Sequence, residues 1–275
     1  MIAALRSQPL LAFALALVTV QVALALTAPW LGFADPIRQI MAQRMRPPAV
    51  AGWLGTDHLG RDVLARIVHG YRTSLMTCGL AVALALVAGG AIGLASAYWR
   101  GWTDRVLMRL MDVLFAFPIL LLAIGIIAIL GPNQWSAAYA IAVVYTPIFA
   151  RLLRGPALVI CESEYVQAAR AIGASDLRIL AVHVLPNLVS VILVQSSILL
   201  SAAVLVEASL SFLGLGAQPP TPSLGLMLSE GRNFLTLAPW PAVFAGLAIL
   251  ALAFGFNLLG DALRDTLDPR LRKVA

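Results

Sequence analysis

The stretch of sequence that decides the fold reads EYVQAARAIGAS at residues 164–175 and HVLPN at residues 183–187. It forms a charged and polar island between two strongly apolar runs. Four of its residues recur at i, i+3, i+4 and i+7, the spacing of one helix face: Tyr165, Ala168, Ala169 and Ile172. Glu164, Gln167 and Ala171 lie away from that face, so the stretch predicts a short helix with a small-residue stripe.

A glycine, a serine and a proline divide this stretch. Gly173 follows the first helix at the position where a left-handed C-terminal cap is common. Ser175 can cap a second short helix, and Pro186, just after Leu185, predicts a break before the next apolar run. We therefore predict a compact knob of two short helices, residues 164–187, between two membrane spans.

The knob resembles the cytoplasmic EAA loop of type I ABC importer permeases, in which Glu-Ala-Ala is followed by three residues, a Gly and, further on, Leu-Pro. Five residues stand at the matching positions: Ala168, Ala169, Gly173, Leu185 and Pro186. Gln167 replaces the usual Glu, and His183 replaces the Ile that stands two residues before Leu-Pro. The alternative is an ordinary amphipathic connector lying on the membrane surface.

The resemblance implies a role for the knob. In this family the loop fits a cleft on a separate ATP-hydrolysing subunit and carries its motion to the membrane helices. Leu185 and Pro186 would be the break at its end. The residues that the resemblance assigns to docking are Glu164, Tyr165, Gln167, Ala168, Ala169, Arg170, Ile172 and Gly173.

The composition of the 275-residue chain is that of a membrane protein, because 61% of its residues are hydrophobic and 12% are charged. A soluble globular domain does not need so much apolar surface. The net charge of +6 could indicate nucleic-acid binding, but basic residues at the ends of membrane helices explain it through orientation. We therefore expect membrane lipid, and no nucleic acid, among the partners.

Six apolar runs predict an all-α polytopic membrane protein with six transmembrane helices: residues 10–28, 75–98, 113–130, 135–150, 188–206 and 242–259. The first run exceeds the core of a signal peptide, about 7–15 residues, so we expect a retained anchor. Pro118 lies in the first turns of the third run, and Pro147 interrupts the short fourth run. In the second run, Gly89 and Gly93 either form a face for close packing or are incidental.

Three further segments resemble the dipeptide, oligopeptide and nickel permeases of the same importer family: GTDHLGRDVL at residues 55–64, the segment at residues 207–222, and the tail at residues 260–270. Residues 62–72 predict an amphipathic helix at the interface, and residues 100–112 a short charged loop. Residues 207–241 fit a folded loop or re-entrant hairpin better than a span, with Trp240 as an interfacial anchor.

Polar side chains in the fifth run are candidates for the lining of a pathway. Gln195, Ser197 and Ser201 either face that pathway or hydrogen-bond between helices. Cys78 and Cys161 lie in different segments, which favours two inert small residues over a disulfide.

The basic residues predict the orientation. With six spans, both ends and the knob share one side, which carries twelve Lys and Arg residues against seven on the other. The positive-inside rule then places the knob and both termini in the cytoplasm of a bacterial cell, with the spans in its inner membrane. We divide the chain into an N-terminal helix with an extracytoplasmic loop (1–70), a transmembrane domain (71–260) and a cytoplasmic tail (261–275).

The sequence lacks the motifs of catalysis. Lys273 is the only lysine, so no Gly-x-x-x-x-Gly-Lys-Ser/Thr loop can hold ATP, which partner subunits must bind. His58 and His69 lack metal-site spacing, and neither a His-Glu-x-x-His nor a Gly-x-Ser-x-Gly run occurs. The six apolar runs hold no Asp, Glu, His, Lys or Arg, which disfavours an ion-coupled carrier.

These absences predict a transporter subunit without catalytic residues, metal or cofactor of its own. A stand-alone secondary transporter or channel is the alternative, and an intramembrane enzyme is a further one. The resemblance implies half of a translocation pathway for dipeptides, oligopeptides or nickel. Its implied partners are a second homologous permease subunit, two cytoplasmic ABC ATPase subunits and an extracytoplasmic substrate-binding protein.

Overall fold

A computed structural model of the chain describes residues 9–30 and 32–267. Ten α-helices occur in the described residues: α1 (Pro9–Thr27), α2 (Val63–Trp99), α3 (Gly101–Phe115), α4 (Ile119–Leu130), α5 (Gln134–Cys161), α6 (Glu164–Ala171), α7 (Asp176–Arg178), α8 (Leu185–Phe212), α9 (Leu224–Arg232) and α10 (Trp240–Leu267). A 3₁₀ turn at Met41–Gln43 precedes α2, and a π-helical segment at Ile179–Val184 joins α7 to α8.

Five helical segments are long and apolar enough to cross a membrane: Pro9–Thr27, Val63–Trp99, Gln134–Cys161, Asp176–Phe212 and Trp240–Leu267. Helices α3 and α4 together would make a sixth, although they are bent by 93° at the break between them. The prediction of an all-α polytopic membrane protein is therefore confirmed, with the third span as its irregular member.

The third apolar run is not one kinked helix. Phe115 ends α3, and Pro118 directly precedes α4 in an extended conformation, with ψ of 133°. Proline cannot donate a helical hydrogen bond and disfavours helix in the residue before it, so the chain turns there instead of continuing. The loop predicted at residues 100–112 is also wrong, because these residues form most of α3.

Two other boundaries differ from the prediction. The short fourth run belongs to the 28-residue helix α5, which continues through Pro147 and Pro156. The predicted interfacial helix at residues 62–72 is the start of α2, so the domain boundary placed at residue 70 falls inside a helix. The Asp62 carboxylate caps α2 by accepting the Ala65 N–H at 2.8 Å.

Helices α2 and α5 make the most extensive helix–helix contact in the described part of the chain. Gly89 faces the Thr146 carbonyl, and a Cβ there would lie 2.8 Å from the Cβ of Phe149. One turn on, Gly93 faces the backbone of Ala150. The two glycines thus form the packing face that lets two backbones approach in lipid, and they are not incidental.

The polar segment between α8 and α10 begins later than predicted. Helix α8 continues through Glu207, whose buried carboxylate accepts hydrogen bonds from Ser74 at 2.9 Å and Ser211 at 2.7 Å. Residues 213–239 then form the folded segment, which contains α9 packed against α8 and α10. The prediction of a folded loop is confirmed, and Trp240 anchors it by donating its indole N–H to the Thr56 carbonyl at 2.9 Å.

Several residues used in the orientation argument lie outside the described residues, namely Arg6, Arg270, Arg272 and Lys273. The predicted tail is described only as far as Leu267, where α10 ends. Cys78 and Cys161 are both buried and unpaired, and they belong to different core clusters.

A buried ion network joins the segment before α2 to α9. The Asp57 carboxylate accepts from Arg61 at 2.6 Å and from Arg66 at 3.1 Å, and Glu230 accepts from the same arginines at 2.7 and 3.2 Å. Burial raises the pKa of the Glu230 carboxyl, and the charges of Arg61 and His58 oppose that shift. Asp57, His58 and Glu230 could approach one metal ion, but both carboxylates already bind guanidinium groups.

The close contact of α2 and α5 can be tested with one added methyl group. We expect Gly93→Ala to cost about 1–3 kcal/mol, because the new Cβ meets backbone atoms of Ala150 that cannot turn aside. Gly79→Ala in the same helix meets open space and should be neutral or stabilising by up to about 1 kcal/mol. Thermal unfolding in detergent compares the two, and equal melting temperatures would contradict the packing role.

Neutralising one carboxylate should lower the unfolding free energy far more in the buried ion network than in an exposed ion pair. Asp57→Asn leaves two buried arginines underpaired, Arg66 being 1% exposed, and should cost about 3–5 kcal/mol. Asp112→Asn removes the partner of Arg151 from a pair whose side chains are 52% and 40% exposed, and should cost about 0–1 kcal/mol. The order of the two unfolding free energies is the measurement, and a reversed order would refute this account.

Candidate coupling site

The knob leaves the end of α5 through a tight turn. The Ser163 carbonyl accepts the N–H groups of Val166 and Gln167, both at 3.1 Å, and so starts α6. The Gln167 side chain reaches back to the Glu162 carbonyl at 3.0 Å. A glutamate, the usual residue of the resembling family at this position, could not donate that bond, whereas the glutamine amide ties α6 to the end of α5.

The buried face of α6 differs from the predicted stripe. Val166 and Ala169 are buried against a core cluster that includes Leu153, Ile179 and Val184. Of the four residues in the predicted stripe, only Ala169 is buried; the other three, Tyr165, Ala168 and Ile172, are exposed. The larger apolar side chain of Val166 gains more from burial than an alanine does, and it decides which face turns inward.

Gly173 forms the predicted C-terminal cap. Its φ is +85°, its N–H donates to the Arg170 carbonyl at 3.1 Å, and the Ala174 N–H donates to the Ala169 carbonyl at 3.1 Å. These are the two bonds of a Schellman motif. Ser175 precedes α7 as expected, but its side chain makes no capping hydrogen bond.

The break predicted at Leu185 and Pro186 is wrong. The π-helical segment leads straight into α8, and Asp176–Phe212 is one helical segment of 37 residues. Pro186 stands at the second position of α8, directly after the π-helical turns. A proline is tolerated there because the wider turns before it change which carbonyl would need its missing N–H.

Tyr98, at the end of α2, attaches both short helices of the knob. The Arg170 guanidinium lies over its ring at 4.9 Å, and its hydroxyl donates to Asp176 at 2.7 Å. Nearby, Arg100 pairs with Glu162 at 2.7 Å. Sequence reasoning missed Tyr98 and Arg100 as parts of the site, since they precede the knob by more than sixty residues.

The outer surface of the knob is apolar at its tip. Ile172 is 86% exposed and Leu177 is 77% exposed, and they flank the turn at Gly173. Beside them runs an open groove of about 630 Å³, lined by Tyr98, Arg100, Cys161, Glu162, Gln167, Arg170 and Ala171. Large apolar side chains exposed on such a rigid projection are typical of a protein–protein contact.

The candidate pathway residues lie apart from the knob and take different positions. The Ser201 hydroxyl donates to the Ala253 carbonyl of α10 at 2.7 Å, and the Ser197 hydroxyl to the Leu193 carbonyl at 3.1 Å. Gln195 instead lines an open cleft of about 480 Å³ together with Arg264. The two serines therefore make helix-packing or backbone hydrogen bonds, and Gln195 alone of the three faces a cleft.

Comparisons with known proteins agree on one family. The family model described as "binding-protein-dependent transport system inner membrane component" matches residues 82–273, which include the knob. The chain is similar to the dipeptide transport system permease protein DppC of Alkalihalophilus pseudofirmus, with 41% identity over 268 residues covering 98% of this chain and 88% of that protein. It is also 48% identical over 225 residues to the glutathione transport system permease protein GsiD of Pectobacterium atrosepticum, covering 82% and 75% of the two chains.

Two solved structures have a similar fold. The inward-facing MetNI methionine ABC transporter aligns with a TM-score of 0.58 and 18% identity, covering 76% of this chain and 96% of that chain. An amino acid ABC transporter determined with histidines aligns with a TM-score of 0.53 and 17% identity, covering 74% and 95%.

The cap at Gly173 gives a prediction about the knob alone. Gly173→Val should raise the hydrogen-exchange rate of the Ala174 amide about tenfold, because a β-branched residue pays roughly 1–2 kcal/mol at positive φ. Gly173→Asn should change it little, since asparagine tolerates this conformation. No atom lies within 4 Å of a Cβ built at Gly173, so a clash cannot explain the difference. Equal exchange in both variants would contradict the cap.

Proposed function

Because the chain belongs to the family of binding-protein-dependent transport system inner membrane components, we propose that its knob is the surface on which a separate ATPase docks. The chain is a multi-pass membrane permease subunit of an ATP-driven type I ABC importer of the peptide family, and not itself an enzyme. Residues at the tip of the knob would receive the motion of the ATPase, and the attachments of the knob would pass it to the membrane helices.

The apolar tip carries the proposal. Ile172 and Leu177 are the large side chains that a complementary cleft would bury, and the knob has three further exposed apolar groups, Tyr165, Val182 and Leu185. The rest of the docking set predicted by resemblance frames this tip with Glu164, Gln167, Ala168, Arg170 and Gly173, whereas Ala169 supports it from inside.

The attachments of the knob suit the transmission of force. Tyr98 links both short helices to α2, and Gln167 links α6 to the end of α5. The second short helix continues without a break into α8. A push on the tip therefore reaches α2 and α5 through direct side-chain contacts and α8 through continuous helix, which is what coupling to a membrane pathway requires.

We infer a cytoplasmic position for the knob and for both termini. Among the described residues, eight arginines belong to the knob side: Arg100, Arg105, Arg109, Arg151, Arg154, Arg170, Arg178 and Arg264. The opposite side has seven described arginines, and six of them lie in the one long stretch from Arg38 to Arg72. Basic residues in long loops count for less in the positive-inside rule, which therefore favours the knob side as the cytoplasmic face.

The substrate that we propose is a short peptide. The relatives named above are described as dipeptide and glutathione permeases, and further relatives at 45% identity as putative peptide permeases. Nickel, the other substrate of the resembling subfamily, has no such support here. The proposed assembly contains a second permease of the same family, two ATPase subunits and an extracytoplasmic substrate-binding protein.

A double substitution at the tip tests docking directly. Ile172→Asp with Leu177→Asp places two charges in the proposed contact and should weaken co-purification of the ATPase by about thirtyfold or more, as for a hot spot. Membrane insertion should be unchanged, because both side chains are exposed. The importer is co-expressed with its neighbouring ATPase genes, and bound ATPase and peptide-stimulated ATP hydrolysis are measured.

The control for this experiment is Ser175→Asp. It adds a negative charge to the same knob at an exposed position before α7, where aspartate is a good N-cap. It should leave the ATPase bound and active. Unchanged coupling in the double variant would contradict the docking surface, and peptide uptake by the chain alone, without an ATPase, would favour a stand-alone carrier.

A further inference from the structure

Helix α3 turns its acidic residues toward the protein. Asp104 pairs with Arg154 at 2.6 Å, and Asp112 pairs with Arg151 at 2.7 Å. Both arginines belong to α5, one turn apart and shortly before the knob. Met111, between the two acids along the chain, is buried. This face of α3 is therefore neutralised by the protein and fixes the helix to the knob end of α5.

The basic residues of α3 lie on the outer side. Arg105 and Arg109 are exposed, and within residues 9–30 and 32–267 no carboxylate pairs with either of them. The Arg105 guanidinium lies 5.7 Å from the ring centre of Trp102 and donates to the Gly101 carbonyl at 3.3 Å, a contact within its own helix. Two adjacent guanidinium groups on one helix, four residues apart, thus lack an anion.

An apolar stripe runs beside these arginines. It consists of Trp102, Val106, Leu110 and Val113, spaced by four, four and three residues, and all four are exposed, Trp102 by 73%. A helix with a cationic edge, an apolar face and a tryptophan near one end has the pattern of helices that lie in a membrane interface.

The position of α3 agrees with this pattern. It is bent by 93° from α4, and the two helices together are long and apolar enough for one broken span. The twelve residues of α4 rise about 18 Å, well short of the roughly 30 Å hydrocarbon core. If α3 lies about 5–10 Å inside the membrane boundary, it makes up most of the thickness that α4 is too short to cross.

We infer that α3 lies in the knob-side membrane interface and that Arg105 and Arg109 bind the headgroup phosphate of an anionic phospholipid. The apolar stripe would enter the acyl chains below the headgroup. Guanidinium groups bind phosphate oxygens in pairs, so two of them one turn apart suit a single phosphate. The inference does not depend on ATPase docking, because it concerns the face of α3 that points away from α5.

Lipid titration of the assembled, detergent-solubilised importer tests this site. Native mass spectrometry should show bound phosphatidylglycerol in preference to phosphatidylcholine. Arg105→Gln with Arg109→Gln should weaken that binding about thirtyfold, since each arginine near an anionic headgroup contributes about fivefold. Arg105→Lys with Arg109→Lys, which keeps the charge, should retain most of it. If no ATPase co-purifies, the same titration is made on this chain alone.

A matched control removes two positive charges from a part of the chain outside α3. Arg38→Gln with Arg44→Gln changes two exposed arginines in the segment before α2, and phosphatidylglycerol binding at α3 should stay as in the wild type. Equal binding by the Arg105 and Arg109 glutamine variant would overturn the site. Displacement of the lipid by equimolar glycerol phosphate would show a site for free phosphate instead. A Val106→Cys cross-link to a second permease subunit in membranes would show that protein, not lipid, covers the stripe.

Discussion

Backbone contact between α2 and α5 is the constraint on which the rest of the molecule depends. At Gly89 and Gly93 no side chain separates the two helices, so their relative position is fixed to within atomic contact. In lipid, apolar side chains gain nothing by leaving the solvent, and close packing has to supply the attraction. Helix α2 begins at the ion network and carries Tyr98 in its last turn, and α5 ends at the knob, so this single contact positions both the ion network and the knob.

Local chemistry made much of this structure predictable. The apolar runs identified the membrane helices because length and hydrophobicity are enough to define a span. Gly173 was predictable as well, since a helix followed by glycine has few other ways to end. Prolines were not predictable in the same way. Pro118 lies in the break between two helices and Pro147 lies inside one helix, because the neighbours of each proline decide whether its lost hydrogen bond can be tolerated.

Contacts between residues far apart in the sequence account for the remaining differences between the predictions and the structure. Arg61 and Glu230 are separated by 169 residues, and the local sequence around either residue does not predict that they pair. Glu207 likewise stood at the edge of an apolar run, and only the fold shows that Ser74, 133 residues away, satisfies its carboxylate. The rotation of α6 also depends on its surroundings, because the core that accepts Val166 is built from α5 and from the segment that leads into α8.

The unbroken segment Asp176–Phe212 has a mechanical consequence. At about 1.5 Å per residue its 37 residues make a shaft some 55 Å long. A twist applied near Leu177 has to pass the π-helical turns before it reaches Glu207, near the far end, where hydrogen bonds to Ser74 and Ser211 would oppose it. The π-helical turns are its most compliant section, because their hydrogen bonds are less regular than those of an α-helix. One continuous helical segment therefore joins the knob to the hydrogen bonds of Glu207, and the π-helical turns are where its two ends could move relative to each other.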